Sequence, residues 1–75
     1  MRNIIGVRVK EARLKERPIA TQKDLSARLE SYGVILSYSA IAKIESGVNA
    51  VSDIQLVAFA KALKVSTAWL LGEED

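Results

Sequence analysis

Apolar residues recur along this chain at intervals of three and four, the period that places them on one side of an α-helix. Ile5, Val9 and Ala12 stand at i, i+4 and i+7 with charges between them. Leu25 and Leu29 make a second buried pair, and Leu56, Phe59, Ala60 and Leu63 repeat at i, i+3, i+4 and i+7. Boundary signals separate these stripes. Asn3 suits the cap of a first helix running to about Glu16, and Arg17-Pro18 ends it, because the residue before proline is pushed out of the helical region. Thr21 caps a second helix, with Asp24 three residues on as a weaker form of the capping box. Tyr32-Gly33 breaks that helix, and Val34-Ile35-Leu36 is an apolar connector too short and isolated to found a sheet. Ser37 caps a third helix that Gly47 ends. Beyond a loop at Val48-Asn49-Ala50-Val51, Ser52 with Gln55 opens a fourth helix to about Lys64. Ser66 caps a short fifth, Thr67 to Leu71, which Gly72 closes. The expected fold class is all-α, five short helices around one core. Residues 1–72 form the domain, and Glu73-Glu74-Asp75 an acidic tail expected to be loose.

The third helix differs from the rest. With Ile41 as the zero of angle, Ile44, Glu45 and Val48 fall within about 60° of it, on the side to be buried. Ser39, Ala42, Lys43 and Ser46 fall on the opposite side. An ordinary solvent-facing helix fills that side with Lys and Glu. Small side chains and a single lysine leave a surface smooth enough to enter another molecule. Glu45 lies on the buried flank, where a lone carboxylate is costly, so it needs a cation.

Composition narrows the chemistry. Seventy-five residues make one small domain with little stability to spare, so helical packing or dimerisation is expected to help. The absence of cysteine and histidine excludes a disulfide framework, a zinc finger and most metal or nucleophilic chemistry, and suits a reducing cytosol. No apolar run approaches the ~20 residues that span a bilayer, and no signal peptide is visible. The candidate acids and nucleophiles are scattered, with no phosphate-cradling loop and no paired carboxylates, so no enzyme and no cofactor is expected. The net charge is only +2, but residues 1–28 hold eight cations (Arg2, Arg8, Lys10, Arg13, Lys15, Arg17, Lys23, Arg28) against Glu11, Glu16 and Asp24. A basic half suits a polyanionic partner; a solvated face of ordinary helices is the alternative.

Five segments in series carry a resemblance. They are Ile5-Gly6-x-Arg8-Val9-x-x-Ala12-Arg13, Thr21-Gln22-Lys23-Asp24-Leu25, Ser37-x-Ser39-x-Ile41-x-Lys43-Ile44-Glu45-x-Gly47, Leu56-x-x-x-Ala60-Lys61-Ala62-Leu63-x-Val65-Ser66, and Trp69-Leu70-Leu71. In this order and spacing the chain resembles the Xre/Cro phage-repressor type of helix-turn-helix transcription factor, over nearly all of its length. The resemblance implies a lambda-repressor-like domain that binds double-stranded DNA in the cytoplasm, as a dimer on a pseudo-palindromic operator and most often as a repressor. The second helix would cross the DNA backbone, with Gln22 on a phosphate and Lys23 as a further phosphate neighbour. The helix after Ser37 would be the recognition helix, with Tyr38, Ser39, Ala42 and Lys43 toward the bases. Ser46 and Asn49 match phosphate-contacting positions. Arg13 and Glu45 match a structural ion pair that ties the first helix to the recognition helix.

Side-chain chemistry agrees with these roles and leaves choices open. Lys43 can donate to guanine N7 and O6, Ser39 can bond a base or a phosphate, and the Tyr38 ring can touch a thymine methyl. Tyr38 can equally pack along the helix flank and give its hydroxyl to a phosphate, and Lys43 can be a solvated lysine. Trp69 is either a core anchor or part of a dimer contact. Leu70 and Leu71 exceed what so short a helix can bury, which points the dimer contact there. Three departures from the family's pattern stand out. Five extra residues, around Ser31 to Ile35, lengthen the second helix or its turn. Ala20 replaces a large apolar residue, with Ile19 as the candidate to fill the space, and Tyr38 is aromatic where a polar or basic residue is usual. Two rivals remain: a protein-interaction module on the same fold, and the antitoxin or restriction-controller variants of DNA binding.

Overall fold

A computed structural model describes residues 1–75. The chain forms α1 (Gly6–Lys15), α2 (Gln22–Glu30), α3 (Tyr38–Glu45), α4 (Asp53–Leu63) and α5 (Thr67–Leu70), with no strands. α2 packs on α3 and α4, while α1 runs against α3, α4 and α5. Phe59, Leu25, Leu29, Ile41, Ile44, Leu70 and Val9 are the largest side chains closed off from solvent. Alanines 58, 60 and 62 let the neighbouring helices approach the wall that α4 forms around Phe59.

The capping signals act where the sequence places them. Asp24 N–H donates to Thr21 Oγ1 at 3.0 Å and Thr21 N–H to Asp24 Oδ2 at 2.9 Å, a full capping box. The Thr21 backbone N–H, donating to the carboxylate, holds the Asp24 carboxyl below its ordinary pKa because it favours the charged form. Ser52 and Gln55 form the second box, and the hydroxyls of Ser37 and Ser66 cap α3 and α5. Asn3 caps the start of α1 as expected, from two residues ahead of Ile5. Its Oδ1 accepts from the N–H groups of Ile5 and Gly6, at 3.0 and 2.8 Å, and so satisfies donors that the Ile5 side chain, adjoining α1, cannot.

The extra residues before the third helix fall in the turn. α2 stops at Glu30, and Val34 N–H closes back on the Leu29 carbonyl at 3.0 Å. Val34 is buried, Leu36 packs on the core and offers its carbonyl to Ser26 Oγ at 2.6 Å, and Ile35 between them points outward at 77% exposure.

Several positions differ from the sequence expectation. Val48 is exposed, because α3 ends at Glu45 and Gly47, at φ +81°, turns the chain before helical phase can carry Val48 inward. Ile19 is half-exposed and Ala20 is buried, so Ile19 does not replace a missing core residue. Leu70 is wholly enclosed and Leu71 packs on the core, which removes the surplus that pointed to an α5 dimer contact. Trp69 packs there too, with Arg8 at 4.8 Å and Lys15 at 5.9 Å from its ring centre. The acidic tail folds back rather than hanging loose. Glu73 N–H bonds the Ala68 carbonyl at 2.8 Å, Arg8 Nη1 donates to the Glu74 carbonyl at 2.9 Å, and the Ser66 hydroxyl meets the Glu74 carboxylate.

Candidate nucleic-acid interface

The interface is built outward from a locked base. Gly6 opens α1 directly against the last turn of α3. A Cβ there would stand 2.1 Å from the Ile44 carbonyl oxygen, so only glycine permits this approach. About two turns later on α1, Arg13 reaches the same end of α3. Its Nε donates to Glu45 Oε2 at 2.8 Å, its Nη2 to Oε1 at 2.9 Å, and its Nη1 to the Ala20 carbonyl at 3.0 Å. The pair is buried, with side-chain exposures of 8% and 4%. Donating to the Glu45 carboxylate holds the Arg13 guanidinium above its ordinary pKa despite desolvation. Gln22 Nε2 adds a third donor to Glu45 Oε1 at 3.1 Å. The start of α2, the last turn of α1 and the end of α3 therefore meet on one carboxylate.

Above this base the outer side of α3 is open. Tyr38, Ser39 and Lys43 are exposed and Ala42 is half-buried between them. Lys43 takes part in none of the molecule's three ion pairs. Ser46 Oγ donates to the Lys43 carbonyl at 3.0 Å, which closes α3 and leaves the hydroxyl oxygen facing solvent. Asn49 is fixed by its backbone, its N–H bonding the Lys43 carbonyl at 3.3 Å and its carbonyl receiving Asn3 Nδ2 at 2.7 Å. Its side-chain amide is left free.

At the α2 end, one N–H of the Gln22 amide goes to Glu45, and the second remains available together with the first-turn backbone N–H groups of Gln22 and Lys23. The Lys23 ammonium lies 5.2 Å from the centre of the Tyr38 ring, a cation–π pairing that joins the first turns of α2 and α3. The structure thus brings Gln22 to the Arg13–Glu45 pair and Lys23 to Tyr38, while Ser46 and Asn49 lie together at the far end of α3.

The basic half of the chain does not form one patch. Arg8 bonds the Trp69 and Glu74 carbonyls, Arg13 and Arg28 are paired with Glu45 and Glu16, Lys15 bonds Glu11, and Arg17 bonds the Leu14 and Glu16 carbonyls. Of the eight, only Arg2, Lys10 and Lys23 have no carboxylate or carbonyl partner. The largest cleft, about 610 Å³, is lined by Glu16, Arg17, Arg28, Lys61 and Lys64 at the C-terminal ends of α1, α2 and α4. Its arginines are engaged with helix-end carbonyls and with Glu16, whose carboxyl Arg28 holds below the ordinary pKa. It neutralises helix ends and includes no residue of α3.

Sequence reasoning missed Asn3 as a bridge. Its Nδ2 donates to the carbonyls of Ile44 and Asn49, at 3.0 and 2.7 Å, so one side chain ties the start of α1 to the end of α3 and the loop beyond. Asparagine at a helix start reads as a cap, and nothing local signals its second amide function.

Two packed helices joined by a turn, the second with an open polar face and a buried apolar one, are the arrangement of a helix-turn-helix DNA-binding domain. The helix-turn-helix family model matches residues 9–70, and the chain belongs to this family, of the Xre/Cro type. No match was found among curated proteins or among solved structures. The chain is accordingly a DNA-binding transcription regulator. No helix is long and apolar enough to cross a membrane.

Proposed function

We propose that the chain is a repressor that binds a pseudo-palindromic operator as a homodimer in the cytoplasm. The observation that carries this reading is the open side of α3: Tyr38, Ser39 and Lys43 are exposed with Ala42 half-buried between them, and Lys43 is the one charge among them and unpaired. In this reading the Lys43 ammonium donates to guanine O6 and N7, the Ser39 hydroxyl bonds a base edge, and Ala42 allows close approach. The Tyr38 ring, held by Lys23, meets a thymine methyl. Gln22, Ser46 and Asn49 grip phosphates on either side, and Lys23 adds a charge near the first of these. The Arg13–Glu45 pair holds the reading helix at a fixed angle to the rest.

Size supports the dimer. The domain is 26 Å in its longest dimension, whereas half-sites read in successive major grooves lie ~34–36 Å apart, so two copies are needed to read both. One apolar surface a second copy would cover is a shallow groove lined by Ile4, 64% exposed, with Val51, Leu56 and Leu71, and with Arg2 at its edge. A protein-interaction module is the second reading, favoured by the internal engagement of five of the eight N-terminal cations.

Selection from random duplex DNA followed by footprinting separates the two. Enrichment of a two-fold symmetric sequence with half-sites one turn apart is the expected result. Recovery of no preferred sequence would favour the interaction module.

A further inference from the structure

The phosphate-facing end of α3 is short of positive charge. Between Ser37 and Ala60 the chain holds a single cation, Lys43, and that one points from the middle of the open face. Ser46 and Asn49 are neutral. Neutral donors position a phosphate but release no counterions, and counterion release supplies most of the sequence-independent affinity for duplex DNA. Lys61 and Lys64 line the cleft at the helix C-termini, which includes no α3 residue.

One cation from elsewhere is fixed at this end. Arg2 N–H donates to the Gly47 carbonyl at 2.8 Å, which pins the chain's first residues across the turn that follows α3. Met1 lies alongside, its Cβ 3.5 Å from where a Gly47 Cβ would stand. The next residue, Asn3, bonds both Ile44 and Asn49, so the segment is held at three points on α3 and its loop. The Arg2 guanidinium itself is exposed and makes no hydrogen bond and no ion pair. Its backbone is pinned and its charge is left open, next to the Asn3 side chain that bridges to Asn49.

We propose that Arg2 is a DNA phosphate contact, which supplies the cationic grip that the Ser46–Asn49 end of the interface lacks, with Asn3 as the positioning residue that holds the segment there. This rests on the DNA interface proposed above. The contact is to the backbone, so it adds affinity to every duplex and preference for none.

The test is a binding titration of the wild-type chain, Arg2→Ala and Arg2→Lys on the selected operator and on a random duplex, at several salt concentrations. Arg2→Ala is expected to flatten the log–log salt dependence by about one and to weaken both duplexes by the same factor, with Arg2→Lys restoring the slope. The Arg2 side chain lies at the edge of the groove lined by Val51 and Leu56 but makes no hydrogen bond or ion pair there, so the melting temperature of Arg2→Ala should stay close to that of the wild type. An unchanged slope for Arg2→Ala, or a loss confined to the operator, overturns the proposal. Failure of the wild-type chain to bind either duplex would instead overturn the DNA reading beneath it.

Discussion

The two sides of α3 obey opposite rules. On the inner side every polar group has a partner: Glu45 receives three donors, the Ile44 carbonyl receives Asn3, and Ile41 and Ile44 are closed in the core. On the outer side Lys43 has no ionic partner, Ser39 makes no side-chain bond, and Tyr38 meets only Lys23. Unpaired polar groups cost little where water reaches them and a great deal where it does not. The contrast therefore marks which side holds the helix and which side remains free to meet a partner. Substitutions on the two sides should separate as cleanly as the geometry does, stability moving with one and binding with the other.

The largest effect belongs to the inner side. Glu45→Ala strands Arg13 in a nearly closed site and should cost about 3–5 kcal/mol, the range for removing one partner of a buried pair. Replacing both residues with well-packed apolar ones should cost less than either single change. Chemical denaturation of the three variants measures this, and a loss below ~1 kcal/mol for Glu45→Ala would mean that the pair does not hold the helix.

Gly6→Ala comes next. The added methyl meets the backbone of α3 rather than a movable side chain, so one helix must shift. The cost should sit at the upper end of the ~1–3 kcal/mol usual for overpacking. Thermal melting reads it, and a variant as stable as the wild type would show that the two helices can part without loss.

How far these features were legible in sequence depends on the distance over which each is decided. The caps at Thr21, Ser37, Ser52 and Ser66 are local, three residues from cap to partner, and their residue types announce them. The Glu45 problem was legible because helical phase alone puts a carboxylate among isoleucines. Its partner came from family resemblance, since Arg13 lies 32 residues away. The charge excess of residues 1–28 misled, because sequence counts cations but does not reveal that Arg17 and Arg28 end on the carbonyls of nearby helix termini. Val48 misled for a related reason: angular phase was carried through Gly47, whose φ of +81° breaks it. Leu70 looked surplus because a four-residue helix has little surface of its own, yet α1 and α4 both pack on α5 and close over it.

On the outer side the effects are smaller and differ in kind. Gln22→Ala should weaken binding to every duplex by a similar factor and leave the salt dependence nearly untouched, since glutamine neutralises no phosphate. Because its amide also bonds Glu45, a modest loss of stability should accompany this, near the ~1 kcal/mol of one hydrogen bond. Titrations at several salt concentrations separate the two; a change of about one in the salt slope would contradict the neutral role.

The most direct measurement concerns Lys43. If the outer side of α3 reads base edges, Lys43→Ala should relax preference at one or two base positions, with a specific loss of ~1–3 kcal/mol on the operator. Binding of wild type and Lys43→Ala is titrated on operator, mutated operator and random duplex. A loss concentrated on the operator, and absent on an operator already mutated at the contacted pair, is the predicted result. An equal loss on all three duplexes would make Lys43 a phosphate contact and contradict the assignment of this face as the one that reads sequence.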